Sequence, residues 1–262
     1  MKLPFDTDDG IGTRATLGVI VLETDETLEP EFARIMGIDG VALYHNRIPM
    51  VPEVRPETLA RMEADLPATA RQFPEATTFD VIGYGCTSAS SVIGSDRVAA
   101  AIRTVHPKAQ VTDPLAALIA AGRALGAERL GFVTPYLPEV SQTMRDRLEA
   151  AGFSIAGFGS FEEGDDRVVA RISEAAIAKA AIHVAETAPC DAVVISCTNL
   201  RCLRIIPEVE AQIGKPVLSS NQALAWHMLR LAGITDPMPK FGRLFTVAGL
   251  IPPPGQLSRR RR

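Results

Sequence analysis

A chain of 262 residues, 47% of them hydrophobic and 22% charged, has material for a substantial core and fits one large α/β domain or two smaller lobes. Its formal charge of −4 includes the terminal run Arg259, Arg260, Arg261 and Arg262; without those four the body stands at −8, which argues against a generally basic nucleic-acid surface. No stretch approaches the roughly 18 consecutive apolar residues of a bilayer span. The start, with Asp6, Asp8 and Asp9, lacks the basic and apolar regions of a signal peptide. Four cysteines in this length make no disulfide framework, so a reducing, cytoplasmic setting with free thiols is expected.

Short apolar runs alternate with Ala-rich helical stretches along the chain. Residues 16–22 (TLGVIVL) are expected as a buried strand, 59–73 as a helix and 79–83 as a strand. A helix over 98–105, a short strand at 109–112 and a helix over 115–125, ended near Gly126, follow. Next come a strand at 129–134, a helix over 139–151 stopped at Gly152, and a strand at 153–158. One long helical stretch over 166–187, strands at 192–196 and 216–219, and a helix over 222–232 ended by Gly233 complete the series. Strands alternating with helices predict parallel sheets joined by crossovers.

The two halves resemble each other. Asp80 and Asp191 lie 111 residues apart, as do Cys86 and Cys197, and both cysteines close an apolar run. Leu17-Gly18 and Leu130-Gly131 open similar strands at an offset of 113, Gly40 and Gly152 lie 112 apart, and Pro30 and Pro138 lie 108 apart. Four landmarks in one order predict two pseudo-symmetric Rossmann-like lobes: residues 14–125 with 220–250 in the first, 126–219 in the second, and 251–262 as a disordered tail. The active site is expected in the cleft between them.

Each repeated cysteine precedes a threonine and further small polar residues: Cys86-Thr87-Ser88 and Cys197-Thr198-Asn199. In open parallel sheets ligands sit beyond the carboxyl ends of the strands. A helix starting there offers N–H groups that lower a neighbouring thiol's pKa from about 8.5 toward neutrality. Two lobes facing each other about a pseudo-twofold axis would set the thiols on opposite sides of one carbon. One thiol could then remove a proton while the other delivers one from the far face, or a thiolate could add to a C=C bond, allow rotation and leave. Matched positions in a duplication favour these roles over two merely buried cysteines. Cys190 and Cys202 have no counterpart and are expected to be structural, Cys202 within the helix after Cys197. The cysteine spacing is not that of a zinc site.

These motifs resemble the aspartate/glutamate racemase superfamily, and within it the branch of maleate cis–trans isomerases and arylmalonate decarboxylases. The resemblance runs from about Leu17 to Gly249 and is carried by Gly85-Cys86-Thr87-Ser88, Thr134-Pro135-Tyr136, Ser196-Cys197-Thr198-Asn199 and Ser220-Asn221-Gln222-Ala223. It implies a site between the lobes with no metal or organic cofactor, Cys86 as nucleophile and Cys197 as acid/base partner. It also implies a carboxylate cradle of Thr87, Ser88 and Tyr136, to which Thr198 and Asn199 add donors. Decarboxylases of the branch keep only the second cysteine, so the resemblance favours isomerisation or racemisation. Where maleate isomerases carry a carboxylate-holding Asn after the first strand, this chain has Asp25, within Glu23-Thr24-Asp25-Glu26-Thr27. An ionised Asp there repels a second carboxylate, so the expected substrate carries nitrogen near the reacting carbon. The wording resembles the subgroup of ectoine-degradation gene sets, which implies an amino-acid derivative such as ring-opened acetyl-diaminobutyrate. Asp25 can equally cap the following helix.

His45, His106, His183 and His227 show no triad context, and Gly83-Tyr84-Gly85 lacks the rest of a dinucleotide fingerprint. Arg201 and Arg204 read as a solvated helix face. The expected partner is a small carboxylate, with neither nucleic acid nor membrane, and the family implies a possible homo-oligomer. The competing functions are maleate isomerisation, decarboxylation at a single thiol, and non-catalytic binding on the same scaffold.

Overall fold

Strand and helix alternate through residues 1–249, the part described by the computed structural model. The first half contains β1 (Ala15–Leu22), α1 (Leu28–Ile35), β2 (Val41–Ile48), α2 (Pro56–Ala70), β3 (Val81–Gly85), α3 (Thr87–Ile93), α4 (Ser95–Arg103), β4 (Gln110–Thr112) and α5 (Pro114–Ala124). The second contains β5 (Arg129–Thr134), α6 (Pro138–Ala150), β6 (Ser154–Ser160), α7 (Asp166–Val169), α8 (Glu174–Thr187), β7 (Ala192–Ile195), α9 (Ile206–Ile213), β8 (Val217–Ser219) and α10 (Ser220–Leu231). The strands form two parallel four-stranded sheets of the same topology, β2-β1-β3-β4 and β6-β5-β7-β8. β3 pairs beside β1 as β7 pairs beside β5. The chain is therefore an α/β fold with an internal repeat, and the two cysteines stand past the ends of equivalent central strands.

The repeat extends to its polar anchors. Asp80 accepts the backbone N–H of Thr16 near the start of β1, and Asp191 accepts those of Glu128 and Arg129 at the start of β5. Both tie the start of a central strand to the strand beside it.

The stretch expected as one helix over 166–187 is two. α7 ends after one turn, and α8 starts anew at Ser173, whose hydroxyl accepts the Ala176 N–H at 3.1 Å. α1, the helix that follows Asp25, has an apolar face at helical spacing: Leu28, Phe32 and Ile35 are buried, with Glu31 among them. α10 packs on α5, β3 and α1 while also touching β8, so its buried Trp226, Met228 and Leu229 close the core after the second sheet is complete. The glycines flanking Tyr84 serve packing: a Cβ on Gly83 would lie 2.6 Å from Met228 Sδ of α10, and one on Gly85 2.5 Å from Leu28 Cδ1 of α1. Both helices are thereby drawn against the strand that delivers Cys86. The expected tail, 251–262, lies outside the described residues.

Candidate active site

Cys86 follows β3 directly and is the N-cap of α3, its Sγ accepting the Ala89 N–H at 3.3 Å. Ser88 Oγ lies 3.5 Å from the same sulfur. Cys197 sits past β7 and its Sγ accepts the Asn199 N–H at 3.3 Å. Here the repeat breaks: Cys197 is followed by turns, and α9 does not begin until Ile206. Cys202, Arg201 and Arg204 therefore lie in this loop rather than on a helix. Arg201 donates to the Ile172 carbonyl at 3.0 Å, and the Cys202 thiol is buried.

The expected activation of the thiols by helix N–H groups is overturned by burial. Both side chains are almost wholly enclosed, and desolvation pushes Cys86 up to about 12 and Cys197 well above the ordinary thiol range. The Ser88 hydroxyl and Ala89 N–H act in the expected, lowering sense on Cys86, but loss of water outweighs them, and the charges of Asp166 and Asp25 add to it. Cys197 is raised by Asp166 too, against a hydrogen bond from the Tyr136 hydroxyl. Burial thus shifts both thiols toward the protonated form.

Tyr136, buried past β5, links the two sulfurs: it bonds Cys197 and is within electrostatic reach of both. Tyr84 stands in a comparable relation to Cys86, although its hydroxyl also reaches Met62 Sδ at 3.6 Å in the core. Nothing in the sequence drew attention to Tyr84, because an aromatic in a buried strand looks like core. Thr87 Oγ1 donates to Ser220 Oγ at 2.8 Å, joining α3 to the start of α10. Asn199 serves as a staple. Its Oδ1 accepts the Glu26 N–H at 2.9 Å, and its Nδ2 reaches the carbonyls of Asp166 at 3.0 Å and Thr24 at 3.5 Å.

Asp25 does the capping work foreseen for it. Its Oδ1 accepts the N–H groups of Thr27 at 2.8 Å and Leu28 at 2.7 Å at the head of α1. Its Oδ2 is buried and completes no hydrogen bond, although the Thr198 hydroxyl is near enough to favour the charged form. Burial pushes this carboxyl up to about 6. Sequence reasoning missed two further acids. Asp166, from the second lobe, is buried, accepts Thr24 Oγ1 at 2.5 Å, and acts on both thiols and on Asp25. Glu31, pushed up by burial to about 7, accepts the N–H groups of Cys202 and Leu203 and the Nδ2 of Asn221. Asn221 Nδ2 also reaches the Thr198 carbonyl at 2.7 Å, so the Cys197 loop is held from the first lobe.

A strap closes the cleft. The segment between β2 and α2 crosses to the second lobe, where Val54 N–H donates to Gly164 O and Asp166 N–H to Pro52 O, each at 3.1 Å. A surface concavity of about 400 Å³, lined by Arg34, Leu203, Arg204, Lys240 and Phe241, does not include the thiols. Two of the histidines are engaged away from the thiols: His227 bonds Thr112 Oγ1, and His106 packs on Phe73 and Phe79.

Two repeated parallel sheets with a cysteine past each central strand define a two-lobed α/β enzyme scaffold of the aspartate/glutamate racemase type. The arylmalonate decarboxylase family model matches residues 52–245, and the chain belongs to that family. A maleate isomerase of Nocardia farcinica is 30% identical over 238 residues, covering 87% of this chain and 94% of that protein. An arylmalonate decarboxylase of Bordetella bronchiseptica is 34% identical over 125 residues, 47% of this chain and 52% of that one. Among solved structures, a cysteine-to-alanine variant of a Pseudomonas putida maleate isomerase with maleate superposes with a TM-score of 0.80 at 26% identity, covering 90% of this chain and 99% of that one. A cysteine-to-serine variant of the Nocardia farcinica enzyme with a covalently bound succinylcysteine intermediate gives 0.79 at 27%, covering 88% and 98%. No helix among the described residues is long and apolar enough to cross a membrane.

Proposed function

We propose that this protein is a cofactor-independent isomerase in which Cys86 and Cys197 act from opposite lobes on a small carboxylate. The carrying observation is the pair of thiols past equivalent strands, enclosed in one cleft and sharing Tyr136, Asp25 and Asp166 as neighbours. Thr87, Ser88 and Tyr136 hold the substrate carboxylate, with the Thr198 hydroxyl beside them; Asn199 contributes by fixing the loop that carries Cys197.

Two reactions use this arrangement without a net change of atoms. In racemisation, one cysteine as thiolate takes the α-proton while the carboxylate cradle stabilises the enolate, and the opposite thiol gives its proton to the other face. The inverted product leaves with the two thiols' protonation exchanged. In cis–trans isomerisation, thiolate addition to one alkene carbon forms a C–S bond and moves the π electrons onto the neighbouring carbon and its carboxylate. Rotation about the new single bond and expulsion of the thiolate then restore the alkene.

The preferred substrate is an amino-acid derivative of the ectoine-degradation type, because Asp25 stands where a carboxylate-holding Asn would otherwise be expected. The second reading, maleate cis–trans isomerisation, is favoured by the nearly full-length similarity to maleate isomerases. Incubation in D₂O with amino acids, N-acetyl-diaminobutyrates, ectoine and maleate separates the two. Deuterium at the α-carbon supports racemisation, whereas maleate converted to fumarate, with every other candidate retaining protium, replaces it with the second reading. If no candidate is altered at all, the proposal is rejected.

A further inference from the structure

The acids around the cleft fall into two groups. Glu26, Glu29 and Asp165 each pair with an arginine: Arg171, Arg47 and Arg167 respectively. Asp25 and Asp166, both nearly inaccessible, have no ionic partner among the described residues. Arg47 comes near, but its guanidinium is engaged by the carbonyls of Leu22, Glu23 and Asp25 and by Glu29, not by the Asp25 carboxyl.

The two carboxyls come from the two halves of the chain and are brought together by Thr24, which precedes Asp25 and donates its hydroxyl to Asp166. Asp25 is fixed through Oδ1 at the head of α1, leaving Oδ2 buried without a hydrogen bond. Asp166 is fixed by Thr24 on its side chain, by the strap on its N–H and by Asn199 on its carbonyl. Each carboxyl acts on both Cys86 and Cys197. A buried carboxylate is stable only when a cation, donors or a proton compensates it. The protein gives Oδ1 of Asp25 two backbone donors; the Thr198 hydroxyl is also near this carboxyl, but its Oδ2 completes no hydrogen bond. Among the described residues, no group of three or more His, Cys, Asp or Glu side chains is placed to hold a metal ion. An alkylammonium offers three N–H donors and one positive charge, which suits two buried carboxyls, one with an oxygen that completes no hydrogen bond.

We propose that Asp25 and Asp166 form a subsite for a protonated amine, so that the substrate is a zwitterion whose ammonium group lies on this pair and whose carboxylate lies on Thr87, Ser88 and Tyr136. This rests on the two-thiol reading and deepens it, since it replaces any nitrogen-bearing carboxylate by one with a free, charged amine. It also gives the substrate a part in its own activation. Both carboxyls raise the thiols, so an ammonium on the pair lowers the cost of forming a thiolate, whereas a dianion adds to it.

Calorimetric titration with 2,4-diaminobutyrate and maleate, four-carbon chains of opposite net charge, tests the subsite. The wild type should bind diaminobutyrate at least about tenfold more tightly than maleate, and Asp25→Asn/Asp166→Asn should reverse that order. The amides keep the acceptors used by Thr27, Leu28 and Thr24, and thermal melting checks the fold; if the double variant does not fold, Asp25→Asn alone should narrow the preference severalfold. A wild type that binds maleate as tightly as diaminobutyrate, or binds neither, overturns the proposal, as does an unchanged preference in the folded variant. If the preference is unmoved while Cys86→Ala and Cys197→Ala abolish turnover, the amine subsite fails and the two-thiol reading stands. If the preference switches but either thiol variant turns over at the wild-type rate, the subsite stands and the two-thiol reading falls.

Discussion

The two lobes carry their thiols on matching strands but hold them differently. Cys86 is fixed within its own lobe, as the cap of α3 with Ser88 beside it. Cys197 rides on a loop whose Thr198, Asn199, Cys202 and Leu203 are held by Asn221, Thr27, Glu31 and the backbone at Glu26. A duplicated fold thus supplies two equivalent sulfur positions, and later asymmetry decides which is pre-set and which depends on contacts between lobes. The first is placed by local sequence, the second by assembly of the whole chain.

The largest test of this contrast is removal of either sulfur. Cys86→Ala and Cys197→Ala should each lower turnover by about 10³-fold or more, and the double variant should be little worse than either, because groups acting as a unit are not additive. Steady-state kinetics on the substrate found in D₂O reads this directly. Wild-type rates in either variant would leave only one working thiol.

Next come the two tyrosines. Tyr136→Phe removes the hydroxyl shared with Cys197 and should cost about 10²-fold in kcat, the usual scale for one pre-organised donor. Tyr84→Phe, whose hydroxyl also serves Met62 in the core, should cost much less. Equal losses would mean that the two thiols are supported alike.

A smaller effect concerns the acids that join the lobes. Asp25 and Glu31 carry carboxyls pushed up to about 6 and about 7, against values near 4 in an unfolded chain. The folded state therefore binds these protons more tightly. Their stabilisation is full below about pH 4 and is lost as pH rises through about 6 and 7, up to about 3 kcal/mol for each. The melting temperature should fall between about pH 5 and pH 8, a window above the range in which Asp165 and Asp191, held low by Arg167 and Arg129, take up protons. Glu31→Gln should flatten the upper half of that fall. The smallest expected change is for Cys190→Ala, a buried thiol remote from the cleft in sequence pattern and beside Lys215 Nζ: activity should stay within about twofold, and stability should drop by about 1 kcal/mol.

Most of this contrast could be read from sequence on one side only. The offsets from Asp80 to Asp191 and from Cys86 to Cys197 record strand-bound features, which repeat because each sheet is built from adjacent runs. Asp166 escaped notice because nothing local marks it; its setting is made by Thr24 and Pro52, more than a hundred residues earlier. The break between α7 and α8 was hidden by Ala-rich sequence, which favours helix everywhere and leaves the restart to the Ser173 cap. The direction of the thiol shifts was misjudged for a related reason. A helix terminus is visible in a sequence, whereas the strap and α10 that seal the cleft come from distant segments.

The bonds joining Thr24 to Asp166, Glu26 to Asn199 and Glu31 to Asn221 close loops of 142, 173 and 190 residues. Contacts of such separation carry a high entropic cost and form late in folding. A ribosome making this chain exposes Cys86, in a nearly complete sheet, long before Cys197, Asn221 and α10 emerge to cover it. Cys86 is thus born open, and it is covered only after the segment of α10, Ser220–Leu231, has been made.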